Sequence, residues 1–139
     1  MSMGQLPYCK LFYLSAYLPK ILEFIMKKIM KILKGLSDEN RLRIVCLIFR
    51  KNGLCVCEIQ EIIGLSQPTI SFNLKKLEEA EIITHTKSGL WVNYLINENL
   101  EPNLRNIISL LIDELKDDKK IKEDFKKAEI VSRLEICKK

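Results

Sequence analysis

This 139-residue sequence has a single histidine, only five cysteines, and no uncharged apolar run of membrane-spanning length. The cysteines are Cys9, Cys46, Cys55, Cys57 and Cys137. An odd number at irregular spacing argues against a secreted disulfide framework. Cys55 and Cys57 also lie too close in sequence for an easy mutual disulfide. Free thiols in a reducing cytoplasm are the better reading. The most apolar stretch, Leu11 to Met30, is interrupted by Pro19, Lys20, Glu23, Lys27 and Lys28, so it falls short of a spanning segment. It also lacks a basic leader followed by a small-residue cleavage site. No internal repeat or long linker is visible. Neither is a general base or a supporting catalytic shell, so an enzyme ranks far below a binding protein.

What is present fits one ordinary globular domain. Apolar residues make up 47% and charged residues 29%, enough for a sizeable core. Lys and Arg number 23 against 18 Asp and Glu, a net charge of +5. That excess is compatible with a polyanionic partner and does not establish one.

The spacing predicts an amphipathic helix over 21–36, preceded by an extension over residues 1–20, with Met26 as an alternative translation start. Ser37 is read as an N-cap, with Asp38 and Glu39 in the first turn of a helix to about Lys51. Leu42, Val45 or Cys46, and Phe49 form its apolar side. A short helix is expected over 56–63, ending at Gly64. Ser66 caps the next, from Gln67 to about Ala80, with Pro68 in its first turn. Ile70, Leu74 and Leu77 point inward; Gln67, Thr69, Ser71, Asn73, Lys75 and Lys76 are read as outward. Two short helices joined by a tight turn with glycine form a helix-turn-helix. Residues 82–87 and 90–96, around Ser88-Gly89, read as a β-hairpin, and a hairpin after a recognition helix is a wing. A helix over about 103–115 follows, with Leu104, Ile107, Ile108, Leu111 and Leu115 on one face. The charged stretch from Lys116 to Lys139 is read as a solvated helical tail, with Ile121, Phe125, Ala128 and Leu134 as a weaker apolar stripe.

The sharpest chemical feature is Cys55-Val56-Cys57. Soft thiolates select thiophilic ions such as arsenite, Cd(II), Pb(II) and Zn(II). A helix N-terminus lowers thiol pKa, so both sulfurs are expected to be partly thiolate. Residues two apart in a helix point to opposite sides, whereas in extended chain they share a side. An ion bridging both sulfurs therefore distorts the first turn. Two buried small residues would be the bland alternative for this pair; Cys46 is assigned to the core on that ground. Gln67, Thr69 and Ser71 suit base edges, although caps use the same residue types. Asn73 is grouped with them, and Lys75, Lys76, His85 and Lys87 suit DNA contact over a merely solvated face. Trp91 and Tyr94 are expected to pack the hairpin onto the core.

Together these residues resemble the ArsR/SmtB family of winged-helix metalloregulators, over about Met26 to Leu115. Three segments carry the likeness: Leu36-Ser37-Asp38-Glu39-Asn40-Arg41-Leu42-Arg43-Ile44; Leu54-Cys55-Val56-Cys57-Glu58-Ile59; and Leu65-Ser66-Gln67-Pro68-Thr69-Ile70-Ser71 with Leu74-Lys75-Lys76-Leu77. The family's usual histidine before that last leucine-lysine run is Asn73 here. The resemblance implies a mainly α winged helix-turn-helix over residues 21–116, with the tail over 117–139. It implies a homodimer joined through the first and last helices, and a repressor that binds operator DNA without a cofactor and leaves it when an ion binds. Arsenite on Cys55 and Cys57 is the leading inducer. Similar arsenic sensors carry a third cysteine where Gln60 stands. Cd(II) or Pb(II) using Cys9 is the alternative, with Cys137 a further candidate ligand, and a redox or sulfide sensor is another. The zinc site that other members carry on the last helix needs histidine, and residues 103–115 have none.

Overall fold

The computed structural model describes residues 8–136, with side chains described from residue 14. In chain order the elements are α1 (Tyr8–Leu36), α2 (Glu39–Arg50), α3 (Val56–Ile63), α4 (Gln67–Glu79), β1 (Ile83–Ser88), β2 (Trp91–Ile96), α5 (Pro102–Leu115), α6 (Lys119–Ile130) and the short α7 (Arg133–Ile136).

The first helix is longer than its amphipathic segment. α1 runs unbroken for 29 residues through Pro19, about 44 Å, so the expected extension is helical from Tyr8 onward. Among its described side chains, those buried in the domain lie at its C-terminal end. Ile32 and Leu36 are buried there. Gly35 permits the approach, because a Cβ at that position would lie 2.8 Å from the Ala80 Cβ at the end of α4.

Asp38, not Ser37, caps α2. Its carboxylate accepts the Arg41 N–H at 3.0 Å. Ser37 turns back and donates to the Lys34 carbonyl at 3.0 Å, closing α1. Arg41 donates to the neighbouring Gly35 and Lys34 carbonyls, groups the helix end leaves without partners. α2 is the central helix: Ile44 to Ile48 are buried without a break, because α1, α3, α4, α6 and β2 surround it. Cys46 sits fully inside it, and burial pushes its thiol up to about 11.

α3 ends at Gly64, left-handed at φ +78°, and α4 starts after Ser66, which accepts the Thr69 N–H. Ile59, Ile62, Ile70, Leu74 and Leu77 fill the angle between them. β1 and β2 pair antiparallel from Ile83↔Ile96 to Ser88↔Trp91. The tight turn is therefore Gly89-Leu90, one residue later than the sequence suggested, with Gly89 at φ +61°. A third strand-like segment joins them: Gly53 donates to the Tyr94 carbonyl and Tyr94 to that of Leu54, both at 2.9 Å.

The charged tail is docked, not solvated. α6 lies across α2 and α3 and buries Ile121, Asp124 and Ala128. Arg43 holds Asp124 through two contacts of 2.8 Å, and Lys51 donates to the Ala128 carbonyl at 2.8 Å. Phe125 lies half-buried beneath the Arg50 guanidinium, while Leu134 remains exposed.

Candidate thiol site and DNA-reading face

Cys55 is the N-cap of α3 and Cys57 its second residue. The cap backbone is extended, at φ −89° and ψ 168°. Glu58 reaches back, and its Oε2 accepts the Cys55 N–H at 2.9 Å. The Glu58 N–H in turn faces the Cys55 sulfur. This is a capping box with cysteine in the place of serine. It hides the thiol: Cys55 is only 4% exposed, whereas Cys57 is half-buried.

Burial overrides the helix N-terminus at Cys55. Desolvation pushes the thiol above its ordinary value, the Glu58 N–H opposes this, and the Glu58 carboxylate adds to it. The expectation of a partly ionised Cys55 is corrected accordingly: the environment favours the neutral thiol. No group of three or more His, Cys, Asp or Glu side chains able to hold a metal occurs among the described residues. Among the described side chains, the free thiols are those of the core Cys46 and of Cys55 and Cys57. Cys9 lies near the start of α1, and its side chain is outside the described part. Cys137 lies outside the described residues, directly after α7.

Glu58 is itself buried and paired. Arg133 of α7 lies 3.1 Å from its Oε2, and also donates to the Gly53 carbonyl and to Asn93 Oδ1 on β2. Its guanidinium stands 5.5 Å from the Trp91 ring centre. Sequence reading missed Arg133 altogether. The Cys55-x-x-Glu58 spacing signals the box, but nothing local in sequence signals a partner 75 residues away.

On α4, Gln67, Thr69, Ser71, Lys75 and Lys76 are exposed. Thr69 Oγ1 lies 2.8 Å from Ser66 Oγ, within the cap. Asn73 is corrected: it is 5% exposed, and its Nδ2 donates to the Thr69 carbonyl at 3.0 Å. The reason is the helical period, which sets 73 beside 70, 74 and 77 on the inward side. Phe72, absent from the sequence-derived set, is exposed there instead, with Lys76 Nζ 5.6 Å from its ring centre. His85 is exposed on β1 and tied to Glu78 of α4. Lys87 is exposed close to the wing tip, where Leu90 is 99% exposed. Tyr94 packs partly buried against the core, as expected.

On α5, Ile107 and Leu111 are exposed, and Leu104 and Leu115 are half-buried. Ile108 is corrected: at 2% exposed it belongs to the protomer's own core, while Leu110 faces out. Along α1, Leu14, Leu18, Ile21, Ile25 and Ile29 are exposed at steps of four, three, four and four residues, which keeps them on one face of the helix.

Residues 38–85 match the family model described as bacterial regulatory protein, arsR family. The arsenic resistance transcriptional regulator ArsR1 of Pseudomonas putida is 42% identical over 66 residues, 48% of this chain and 52% of that protein. The chain thus spans about half the length of this relative. The arsenical resistance operon repressor of Escherichia coli is 37% identical over 60% of this chain and 68% of its own length. The cadmium resistance transcriptional regulatory protein CadC of Listeria innocua is 38% identical over 55% and 65%. Among solved structures, the transcriptional repressor PagR of Bacillus anthracis superposes with a TM-score of 0.57 at 29% identity, covering 64% of this chain and 98% of that one.

Proposed function

The chain belongs to the arsR family of bacterial regulatory proteins, and from that premise we propose that it is a dimeric repressor released from its operator when arsenite binds Cys55 and Cys57. Its class is that of a DNA-binding transcriptional regulator rather than an enzyme. The observation that carries the proposal is the thiol pair in the first turn of α3, the helix that packs directly on α4.

Joining both sulfurs to one ion pulls Cys55 out of a closed capping box. The N-cap geometry is lost, α3 shifts, and α4 shifts with it through Ile59, Ile62, Ile70 and Leu74. Bases and phosphates in reach of Gln67, Thr69, Ser71, Lys75, Lys76 and Lys87 then lose register. The two named arsenic relatives support arsenite. The Listeria relative supports Cd(II) as a second reading, with Cys9 or Cys137 as the added sulfur; α7 packs on α3 just ahead of Cys137.

The test is a gel shift with the chain's own promoter DNA. The ion-free protein retards the fragment and arsenite frees it. The double variant Cys55→Ser, Cys57→Ser keeps retarding it at every arsenite concentration. A double variant that still responds fully overturns the site.

A further inference from the structure

We propose that Arg133 is the positioning residue through which occupation of the thiol pair reaches the wing. This rests on the thiol-sensor reading above. It adds a second route to the DNA-reading surface, separate from the packing of α3 on α4.

One oxygen, Glu58 Oε2, holds both the Cys55 N–H at 2.9 Å and Arg133 Nη2 at 3.1 Å. The same guanidinium spans to the wing: Nη2 donates to the Gly53 carbonyl at 2.6 Å and Nη1 to Asn93 Oδ1 at 2.7 Å. It also lies against Trp91, at the foot of β2 beside the wing turn. Two side chains therefore connect the sensor backbone to β2. The Leu54↔Tyr94 bridge closes the ring from the other side.

The coupling follows from burial. Glu58 is 4% exposed, and a buried carboxylate stripped of a partner is costly. When Cys55 leaves the cap, Glu58 loses one of its two donors. Its charge then depends on Arg133 alone, so the carboxylate and the guanidinium move together. Arg133 cannot follow without loosening Asn93 and Trp91. A lysine here would keep the charge but not the fork that grips three groups at once.

The experiment uses the full chain, a fluorescein-labelled fragment of its promoter DNA, and sodium arsenite or Cd(II) as the probe. In Arg133→Ala, the ratio of operator Kd with and without arsenite falls by about tenfold, and the effect of operator on arsenite affinity falls by the same factor, since coupling is reciprocal. A purely structural defect shifts both affinities and leaves this ratio where it is in the wild type. Arg133→Lys gives an intermediate ratio. Trp91 is the sole tryptophan, so its emission reports the contact: arsenite shifts it in the wild type and leaves it still in Arg133→Ala. Should Arg133→Ala fail to fold, Asn93→Ala removes the hydrogen bond to β2 and leaves the Trp91 contact, so the ratio falls by less than in Arg133→Ala while the Trp91 response to arsenite persists. A wild type that responds while the variant ratio stays unchanged, or whose Trp91 emission ignores the ion, overturns the inference alone. A wild type that neither arsenite nor Cd(II) releases from the operator overturns the sensor reading and the inference with it.

Discussion

Cys55 is where local and tertiary effects oppose each other. The helix N-terminus favours a thiolate, but burial and the Glu58 carboxylate hold the neutral thiol. The proton then becomes diagnostic of the ion. Cd(II) must expel it, so Cd(II) affinity rises between pH 6 and 8, by up to about tenfold per pH unit for each proton released. Arsenite arrives as neutral As(OH)3: two As–S bonds form and two hydroxides leave as water with the two thiol protons. Its affinity stays flat over the same range. Competition titrations at pH 6, 7 and 8 check both, and a flat Cd(II) profile would overturn the neutral Cys55 thiol. The Cys55-x-x-Glu58 box was legible in sequence as a spacing. The inward turn of Asn73 follows from helical periodicity, but its polar side chain masked it.

At the scale of elements, the C-terminal helices are part of the domain, although their composition reads as a solvated surface. Lys, Glu and Asp dominate α6, and only Ile121 and Ala128 with Asp124 face inward. The charge of Asp124 is answered by Arg43, a residue of α2 that is 81 positions earlier; the carboxylate in turn holds the Arg43 guanidinium above its ordinary pKa. Removing one partner leaves the other ion largely buried. Asp124→Ala should therefore cost about 3 kcal/mol in urea unfolding, while Arg43→Met with Asp124→Leu restores most of it. Equal stability of the single variant and wild type would refute the role given to this pair. α1 was legible in part: the apolar stripe predicted a helix over 21–36, and the described helix continues back to Tyr8 through Pro19.

At the scale of the whole molecule, the exposed apolar face of α1 and the outward residues Ile107, Leu110 and Leu111 of α5 leave a large apolar surface open on one protomer. Such patches mark protein interfaces, and in the dimer proposed above a second copy of this chain would cover this one. Leu18→Asp with Ile25→Asp should give a monomer in sedimentation. Operator affinity should drop by about a hundredfold as the second half-site contact is lost. A dimer that survives both charges would move the interface elsewhere. Ile108 was assigned to this surface from its place in the stripe. α5 has apolar residues on more than one side, and only packing reveals which of them the protomer's own core takes.

The sequence by itself determined the order of elements, the helix-turn-helix and wing, and the thiol pair at a helix start, because caps, glycine stops and periodicity are local signals. Tertiary structure alone decided that Cys55 is hidden, that the charged tail grips α2 and α3, and that Arg133 joins Glu58 to β2. The Cys55-x-x-Glu58 spacing and the stripe through Ile121 and Ala128 are local, but the partners that complete each burial, Arg133 for Glu58 and Arg43 for Asp124, are distant in sequence and leave no local pattern to read.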